Sequence, residues 1–224
     1  MNFFISSPPQ DTITLSPKQH HHAKVRRLSI TDHICFLNGQ GDIYHAQITH
    51  IDHKKTLCSV INHTHHPRPS DTHLYIALCR GQTMEEICQK AVEIGITHIH
   101  PVITDFIGGN MPKKSWEKKS HRLIEIMQAA LCQSGNPYLP QIMPLTNFKE
   151  CLSNSLVVAD TVASEKAYHG QPIFIGPEGG FSPTERADLL SQNIPTIQLP
   201  GHILRSETAA IIAMGMMVSA RSCD

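Results

Sequence analysis

The alternation of apolar runs with helical patterns after residue 70 is what most restricts the fold of this 224-residue chain. Leu74–Leu78 (LYIAL) is an apolar run of strand length, and the segment after it has apolar residues at helical spacing. Further strands are expected at Ile99–Ile103, Leu156–Ala159, Phe174–Ile175 and Thr196–Leu199, and a second helix over residues 116–134. Near-continuous apolar strands separated by helices predict an α/β fold, with a parallel sheet covered on both faces. Such sheets bind ligands beyond the carboxyl ends of their strands.

The first 70 residues follow a different pattern. Two apolar or alternating runs in His33–Ile51 flank Asn38–Gly41, which is a hairpin signal. Prolines and small polar residues in His65–Asp71 suit a linker. We therefore expect a small β-rich, barrel-like domain in residues 1–70 and the α/β domain in residues 71–224.

Charge and cysteine content exclude several classes of protein. The chain has 19 Lys and Arg and 19 Asp and Glu, whereas a protein that coats nucleic acid nonspecifically is usually far more basic. Residues 1–70 nevertheless hold seven Lys and Arg against four acidic residues, so this part is the better candidate for facing a polyanion.

The seven cysteines are odd in number and form no C-x-x-C pair, which argues against a disulfide framework or a zinc ribbon. Without a signal-peptide pattern or a span-length apolar run, we expect a soluble cytoplasmic protein.

A glycine-rich stretch, GPEGGFSPTE at Gly176–Glu185, follows one of the expected strands. Ser182, Pro183 and Glu185 are the residue types of a capped helix start. One interpretation is an ordinary strand–turn–helix connection. A phosphate-binding loop is disfavoured, because the Lys-Ser/Thr pair of a P-loop is missing and the glycines lack the dinucleotide-binding spacing. The bare backbone and the carboxylate of Glu178 suit a ligand that is neutral or cationic at this point.

A second loop, LPGHILRSETAA at Leu199–Ala210, leads into an apolar helix. Arg205 and Glu207 stand at the mouth of that helix. They either pair with each other or with surface charges, or they contribute to a reaction site beside the two glycine-rich loops. The helix is apolar nearly all round, so we expect it to be buried within the fold or between subunits.

Taken together, IGPEGGFS and LPGHILRSETAA resemble the C-terminal motifs of the RsmE family of 16S rRNA uridine-N3 methyltransferases, which belongs to the SPOUT class. Further similarity lies in MEEICQKAVEIGITHIHPVIT (Met84–Thr104), AALCQSGNPYLPQI (Ala129–Ile142) and HHAKVRRLSI (His21–Ile30). The resemblance covers essentially the whole chain. It implies a C-terminal SPOUT-type parallel sheet tied in a deep trefoil knot, a small N-terminal PUA-like RNA-binding domain, and a homodimer with its site near the subunit interface.

The resemblance also implies S-adenosylmethionine as the cofactor, held by the two loops of the knot. The residues that it assigns to cofactor binding are Gly176, Pro177, Glu178, Gly179, Gly180, Leu199, Pro200, Gly201, Ile203, Leu204, Thr208 and Ala209.

Methylation of uridine N3 sets its own chemical requirements. N3 carries a proton and is a poor nucleophile until that proton leaves, so a catalyst must position N3 and stabilise negative charge on O2 or O4. We expect Arg205 to stabilise that charge and Glu207 or Glu178 to accept the proton. N3 lies on the Watson–Crick edge, so the target base in 16S rRNA or the small ribosomal subunit must be unpaired.

Arg26, Arg27 and Arg80 are candidates for contacts with RNA phosphates, although Arg26 and Arg27 are equally explained as ordinary basic surface residues. The tract His20–His22 lacks a spaced ligand set, so we expect a solvated or RNA-facing strip and no metal.

Two rival hypotheses for the function stay open. One is a noncatalytic RNA-binding module, and the other is a related knotted enzyme that acts on 2′-hydroxyls or tRNA.

Overall fold

The computed structural model describes residues 3–5, 11–79, 82–106, 113–153, 155–163 and 167–221. It divides into two compact units, one of residues 1–68 and 128–139, the other of residues 69–127 and 140–224. No helix within the described ranges combines the length and the hydropathy needed to cross a membrane. The elements are, in chain order, β1 (Phe3–Ile5), β2 (Thr12–Thr14), α1 (Pro17–Val25), β3 (His33–Leu37), β4 (Asp42–Ile51), β5 (Thr56–His65), β6 (His73–Ala77), α2 (Thr83–Ile94), β7 (His98–Ile103), α3 (Lys113–Ser134), β8 (Gln141–Ile142), β9 (Thr146–Asn147), α4 (Phe148–Cys151), β10 (Val157–Ala159), β11 (Ile173–Ile175), α5 (Pro183–Ser191), β12 (Thr196–Ile197) and α6 (Ser206–Arg221).

The first unit contains a five-stranded sheet in the order β1-β3-β4-β5-β2. β3, β4 and β5 pair antiparallel, so the predicted hairpin is confirmed. The turn between β3 and β4 contains Gly39 and Gly41, whose φ angles of 73° and 104° are accessible to glycine without a steric penalty. The core of this unit is formed by Phe4, Ile13, Leu15, Ala23, Ile34, Phe36, Ala46, Ile48 and Cys58.

Helix α1 lies where the sequence predicts only strands and turns. Its start is a capping box, in which the Ser16 backbone N–H donates to Gln19 Oε1 and the Gln19 N–H donates to Ser16 Oγ. His20 is buried with Ala23 on the inner face of the helix, and its Nδ1 lies 2.8 Å from Thr56 Oγ1. The expected solvated strip at the histidine tract is therefore wrong for His20, because the helix turns this ring toward the core, whereas the next two histidines are exposed.

The second unit contains a seven-stranded sheet in the order β12-β10-β11-β6-β7-β8, in which β9 also pairs with β7. Every pairing in it is parallel, which confirms the predicted α/β class. The chain places β11 between β10 and β6 and then carries β12 to the far side of β10. Helix α6 returns to the middle of the sheet, where it packs against β6, β11 and α2.

Helix α2 shows the predicted amphipathic pattern. Its buried residues are Met84, Ile87, Cys88, Ala91 and Val92. It ends at Gly95, which has a left-handed φ of 94° and donates its N–H to Ala91 O. The sequence also predicts a capping box of Thr83 and Glu86, and this is wrong, because Gln82 is the N-cap and makes no side-chain capping hydrogen bond.

Three histidines, His73, His98 and His100, lie together on one face of β6 and β7, and we call them the histidine cluster. His73 is the register partner of His98, and Tyr75 is the partner of His100. The rings of His73 and His98 stack with centroids 4.4 Å apart, and His100 stacks on Tyr75 at 4.1 Å. Burial lowers the pKa of His100 to about 4, and the neighbouring imidazoles act in the same direction. The cluster begins at the amino ends of β6 and β7. Ligands of parallel sheets bind at the opposite, carboxyl ends of the strands.

Candidate active site

A cavity of about 1180 Å³ lies at the carboxyl ends of β10, β11 and β12. Its walls come mainly from three segments, Ala159–Thr161, Ile175–Phe181 and residues between Gln198 and Ala209, and Thr83 and Arg186 also line it. Ligand pockets in proteins typically measure ~300–1,000 Å³, so this one can hold a cofactor-sized molecule. The second unit supplies all of the lining residues.

The first wall is the loop Gly176–Phe181, which rests on an aromatic cluster. A Cβ on Gly176 would lie only 2.9 Å from the Phe181 ring, so the loop backbone packs directly on that ring. Phe181 is buried, with its ring centroid 5.6 Å from those of Phe148 and Phe174. Glycine at position 176 is therefore required by close packing.

Hydrogen bonds connect the end of this loop to Asp105, two residues after the end of β7. The Ser182 hydroxyl donates to Asp105 Oδ2 at 2.5 Å and accepts the Glu185 N–H at 3.1 Å. The Glu185 carboxylate in turn accepts the backbone N–H of Asp105 at 2.9 Å and that of Ser182 at 2.8 Å. The predicted capped start of α5 is confirmed, and Glu185 is buried by this network.

The second wall is the loop before α6. Gly201 has a φ of 119°, which only glycine adopts readily, and a Cβ there would lie 3.3 Å from Leu204 Cδ2. Ile203 is 90% exposed as a residue and lines the cavity, so it is available to contact an apolar part of a ligand. Helix α6 begins at the buried Ser206, whose hydroxyl lies 3.5 Å from Gly176 O and links the two loops.

The third wall lies at the end of β10, and none of its residues was predicted as a site residue. Asp160 Oδ2 lies 2.7 Å from Arg186 Nη1, and the Asp160 backbone N–H donates to Ile197 O at 3.0 Å. The sequence did carry a signal for this residue, since a strand was expected to end at Ala159 and ligands bind beyond strand ends. What the sequence does not show is that β10 lies between β11 and β12.

The structure brings most of the predicted site residues together around the cavity. Those that line it are Gly176, Pro177, Glu178, Gly179, Gly180, Leu199, Gly201, Ile203, Leu204, Arg205, Glu207 and Ala209. Pro200 and Thr208 belong to the same segments and are exposed, but they do not line the cavity. Lining residues that are not among the predicted site residues are Thr83, Ala159, Asp160, Thr161, Ile175, Phe181, Arg186, Gln198, His202 and Ser206. Half of these ten residues lie within or directly beside the two loops Gly176–Phe181 and Leu199–Ala210. The functional roles themselves stay predictions.

Arg205 and Glu207 face the cavity from the start of α6. Within the described part of the chain, the two side chains form no ion pair with each other or with another residue. Burial raises the pKa of the Cys79 thiol to about 12, and the negative charges of Glu178 and Glu207 add to this shift. The thiol therefore stays protonated at neutral pH and is not a nucleophile for this cavity.

The predicted RNA-binding arginines lie elsewhere in the chain. Arg26 and Arg27 are exposed at the end of α1, in the first unit, and Arg27 has a positive φ of 55°. Arg80 lies outside the described residues.

Comparison with known proteins gives a consistent result. The chain matches the family model described as an RNA methyltransferase domain over residues 66–218, and that of an RNA methyltransferase PUA domain over residues 15–61. It is 28% identical over 225 residues to ribosomal RNA small subunit methyltransferase E of Mesomycoplasma hyopneumoniae, covering 95% of this chain and 96% of that protein. It is also 28% identical over 231 residues to the protein of the same name from Bacillus subtilis, covering 94% and 90%.

A solved structure from Legionella pneumophila, in complex with the bound cofactor SAM, superimposes with a TM-score of 0.82. The identity is 25%, and the match covers 98% of this chain and 96% of that one. The chain thus has a parallel sheet with two glycine-rich loops at its carboxyl edge. It also matches one family model over more than half of its sequence. The chain belongs to the RNA methyltransferase family that this domain model describes.

Proposed function

We propose that this protein transfers a methyl group from S-adenosylmethionine to N3 of a specific uridine in 16S rRNA of the small ribosomal subunit, in the cytoplasm. The observation that carries the proposal is the convergence of both glycine-rich loops on one cavity, with Arg205 and Glu207 at its edge. The names of the relatives, which are small-subunit rRNA methyltransferases, support the class of substrate.

The cavity fits the cofactor in shape and in charge. Gly176 and Gly201 leave little room for a side chain, so their loops offer backbone amides and carbonyls that suit recognition of an adenine. Glu178 and Glu207 place carboxylates at a site that must accommodate a sulfonium cation. When bound, the cofactor supplies an electrophilic methyl group, so the protein need not form a covalent intermediate.

Arg205 and Glu207 are the proposed catalytic residues. The Arg205 guanidinium is exposed at the mouth of the cavity, where it can approach a uracil O2 or O4 and stabilise the negative charge that develops there. Glu207 is partly buried beside it and is our candidate for accepting the N3 proton, with Glu178 as the alternative.

We assign RNA binding to residues 1–70, as a PUA-like domain, and methyl transfer to residues 71–224. The exposed guanidinium groups of Arg26 and Arg27 suit contacts with phosphates, and Arg80 is a third candidate.

We also propose that the methyltransferase part is knotted and that it dimerises. The strand order supports a trefoil knot of the SPOUT type, since β12 crosses to the far side of β10 before α6 returns to β6 and β11. Ile211, Ile212 and Met216 of α6 are only partly buried, which suits contact with a second copy of the chain. Sedimentation at micromolar concentration should show twice the chain mass, and a monomer would contradict the dimer.

Calorimetry with S-adenosylmethionine tests the cofactor assignment. The full chain should bind one molecule, and Gly201→Val should abolish binding, because a branched side chain is strained at this φ and crowds Leu204. Leu190→Ala is a matched control, since Leu190 is exposed on α5 and does not line the cavity. No binding by the unaltered chain would contradict the proposal.

A further inference from the structure

We propose that Asp71, His73 and His98 bind a first-row divalent cation of the Zn²⁺ type, at a site separate from the cofactor cavity. One potential ligand atom from each residue lies within 4.8 Å of the other two. Two imidazoles and one carboxylate are a common donor set for such cations.

The sheet already holds the two imidazoles side by side. His73 and His98 are register partners in neighbouring parallel strands, so both side chains leave the same face of the sheet. Asp71 Oδ1 lies 3.8 Å from His98 Nδ1, which also contacts Thr97 Oγ1 at 2.9 Å, so a cation at this nitrogen replaces that hydrogen bond. Ligands of a tetrahedral Zn²⁺ lie about 3.3 Å apart, given metal–ligand distances near 2.0 Å. The two imidazole rings stack with an interplanar angle of 10°, so one of them must turn out of the stack for the three groups to meet on one ion.

Hydrogen bonds hold the backbone that carries these ligands. Thr72 and Thr97, which precede His73 and His98, exchange bonds between their backbones and hydroxyls at 2.7, 2.9 and 3.1 Å. The segment before β6 is fixed further by the Arg221 guanidinium, which donates to Ser70 O at 2.9 Å and to Gly95 O at 2.6 Å. The backbone that carries the donor set is thus held in a rigid part of the sheet.

A second layer of contacts also favours a metal site. His100 Nε2 lies 2.9 Å from His73 Nδ1, so it can orient that ring through its second nitrogen, as partners of metal-bound histidines do. The His98 side chain is 10% exposed and that of Asp71 is 51% exposed. The site is therefore anchored on its inner side and open to solvent on its outer side, where water can complete the coordination.

The position of the site indicates its role. It lies at the amino ends of β6 and β7, whereas the cofactor cavity is formed at the carboxyl ends of β10, β11 and β12. The ion would fasten the segment before β6 to β7 and stabilise the unit that contains the cavity. It would take no part in methyl transfer.

Zinc titration of the full chain tests the proposal, after removal of metals with a chelator. Calorimetry should show one Zn²⁺ per chain at this site, and the thermal midpoint should rise with zinc. Asp71→Asn and His98→Asn should each weaken binding more than tenfold, because loss of a direct ligand costs at least as much as the ~10–100-fold typical for loss of an outer-shell partner. Asp71→Asn changes an exposed carboxylate, so it tests the site even if His98→Asn fails to fold.

A control is needed because the chain has 16 histidines. His63 and His65 both contact Asp42 Oδ1, at 2.9 and 2.8 Å, and form the obvious competing site. The double variant His63→Asn/His65→Asn should bind zinc as the unaltered chain does. The proposal is overturned if the unaltered chain binds no zinc, if Asp71→Asn binds it equally well, or if only the control variant loses binding.

Discussion

Arg186 Nη1 lies 2.7 Å from Asp160 Oδ2, and this ion pair closes one side of the cavity. The Asp160 side chain is only 7% exposed, whereas that of Arg186 is 43% exposed. The carboxylate therefore depends on the guanidinium for the compensation of its lost hydration.

Arg186→Ala should lower the free energy of unfolding by about 1–3 kcal/mol, because it leaves a buried carboxylate without its cation. Urea denaturation measures this change. The double variant Asp160→Asn/Arg186→Ala is the matched control and should recover part of the loss, since no unpaired charge remains. A single variant as stable as the unaltered chain would show that the pair does not stabilise this wall.

Ser182→Ala should cost about 1–2 kcal/mol of stability, because the hydroxyl both caps α5 and donates to Asp105. It should also weaken binding of S-adenosylmethionine, since the cap fixes the end of the loop Gly176–Phe181. Ser191→Ala is the control, because the Ser191 hydroxyl is exposed at the other end of α5 and donates to Asp188 O. Equal effects of the two substitutions on cofactor affinity would contradict this role of Ser182.

The sequence predicts the two cavity loops better than the rest of the site. Both loops follow apolar strands and precede helices, so the geometry of a parallel sheet places Gly176 and Gly201 at the same edge. Asp105 and Ser182 meet across 77 positions, and Asp160 reaches the cavity because β10 lies between β11 and β12. Both relationships depend on strand order, which the local pattern of residues does not encode.

Helix α1 shows a second limit of local patterns. Its segment is rich in histidine and lacks apolar periodicity, so it does not look like a helix that packs on a core. The signal that was present is the capping sequence from Ser16 to Gln19, with Pro17 at the first helical position. The burial of His20 follows from contacts with the sheet and could not be predicted from the sequence.

Asp42 provides a test at acidic pH. Hydrogen bonds from His65 and His63 lower the pKa of its carboxyl from 3.8 to about 2. Since the pKa is lower in the folded state, the resulting stabilisation is complete above about pH 4 and is lost as the pH falls toward 2. NMR titration of the His63→Ala/His65→Ala variant, which removes both donors, should find the pKa of Asp42 moved back toward 3.8.

The control for that titration is the Asp52 carboxyl, whose pKa is lowered by a separate hydrogen bond from His50. It should stay low in the same variant. An Asp42 carboxyl that still titrates near 2 would mean that the two histidines do not set its pKa.

If Arg205 has the proposed role, Arg205→Ala should lower the turnover number by about 10²–10³, because it removes the positive charge that would stabilise the developing oxyanion. The affinity for S-adenosylmethionine should change little, and Arg205→Lys should recover part of the turnover. Single-turnover methylation of small ribosomal subunits, with calorimetry in parallel, separates the two effects. A loss of cofactor binding with unchanged turnover of the bound enzyme would contradict the catalytic role.

Nucleoside mass spectrometry of 16S rRNA from a strain lacking this protein tests the central claim most directly. One N3-methyluridine should disappear, and it should return when the unaltered chain is supplied but not when Gly201→Val is supplied. Persistence of all N3-methyluridine in that rRNA, or loss of a 2′-O-methyl group in its place, would contradict the proposed reaction.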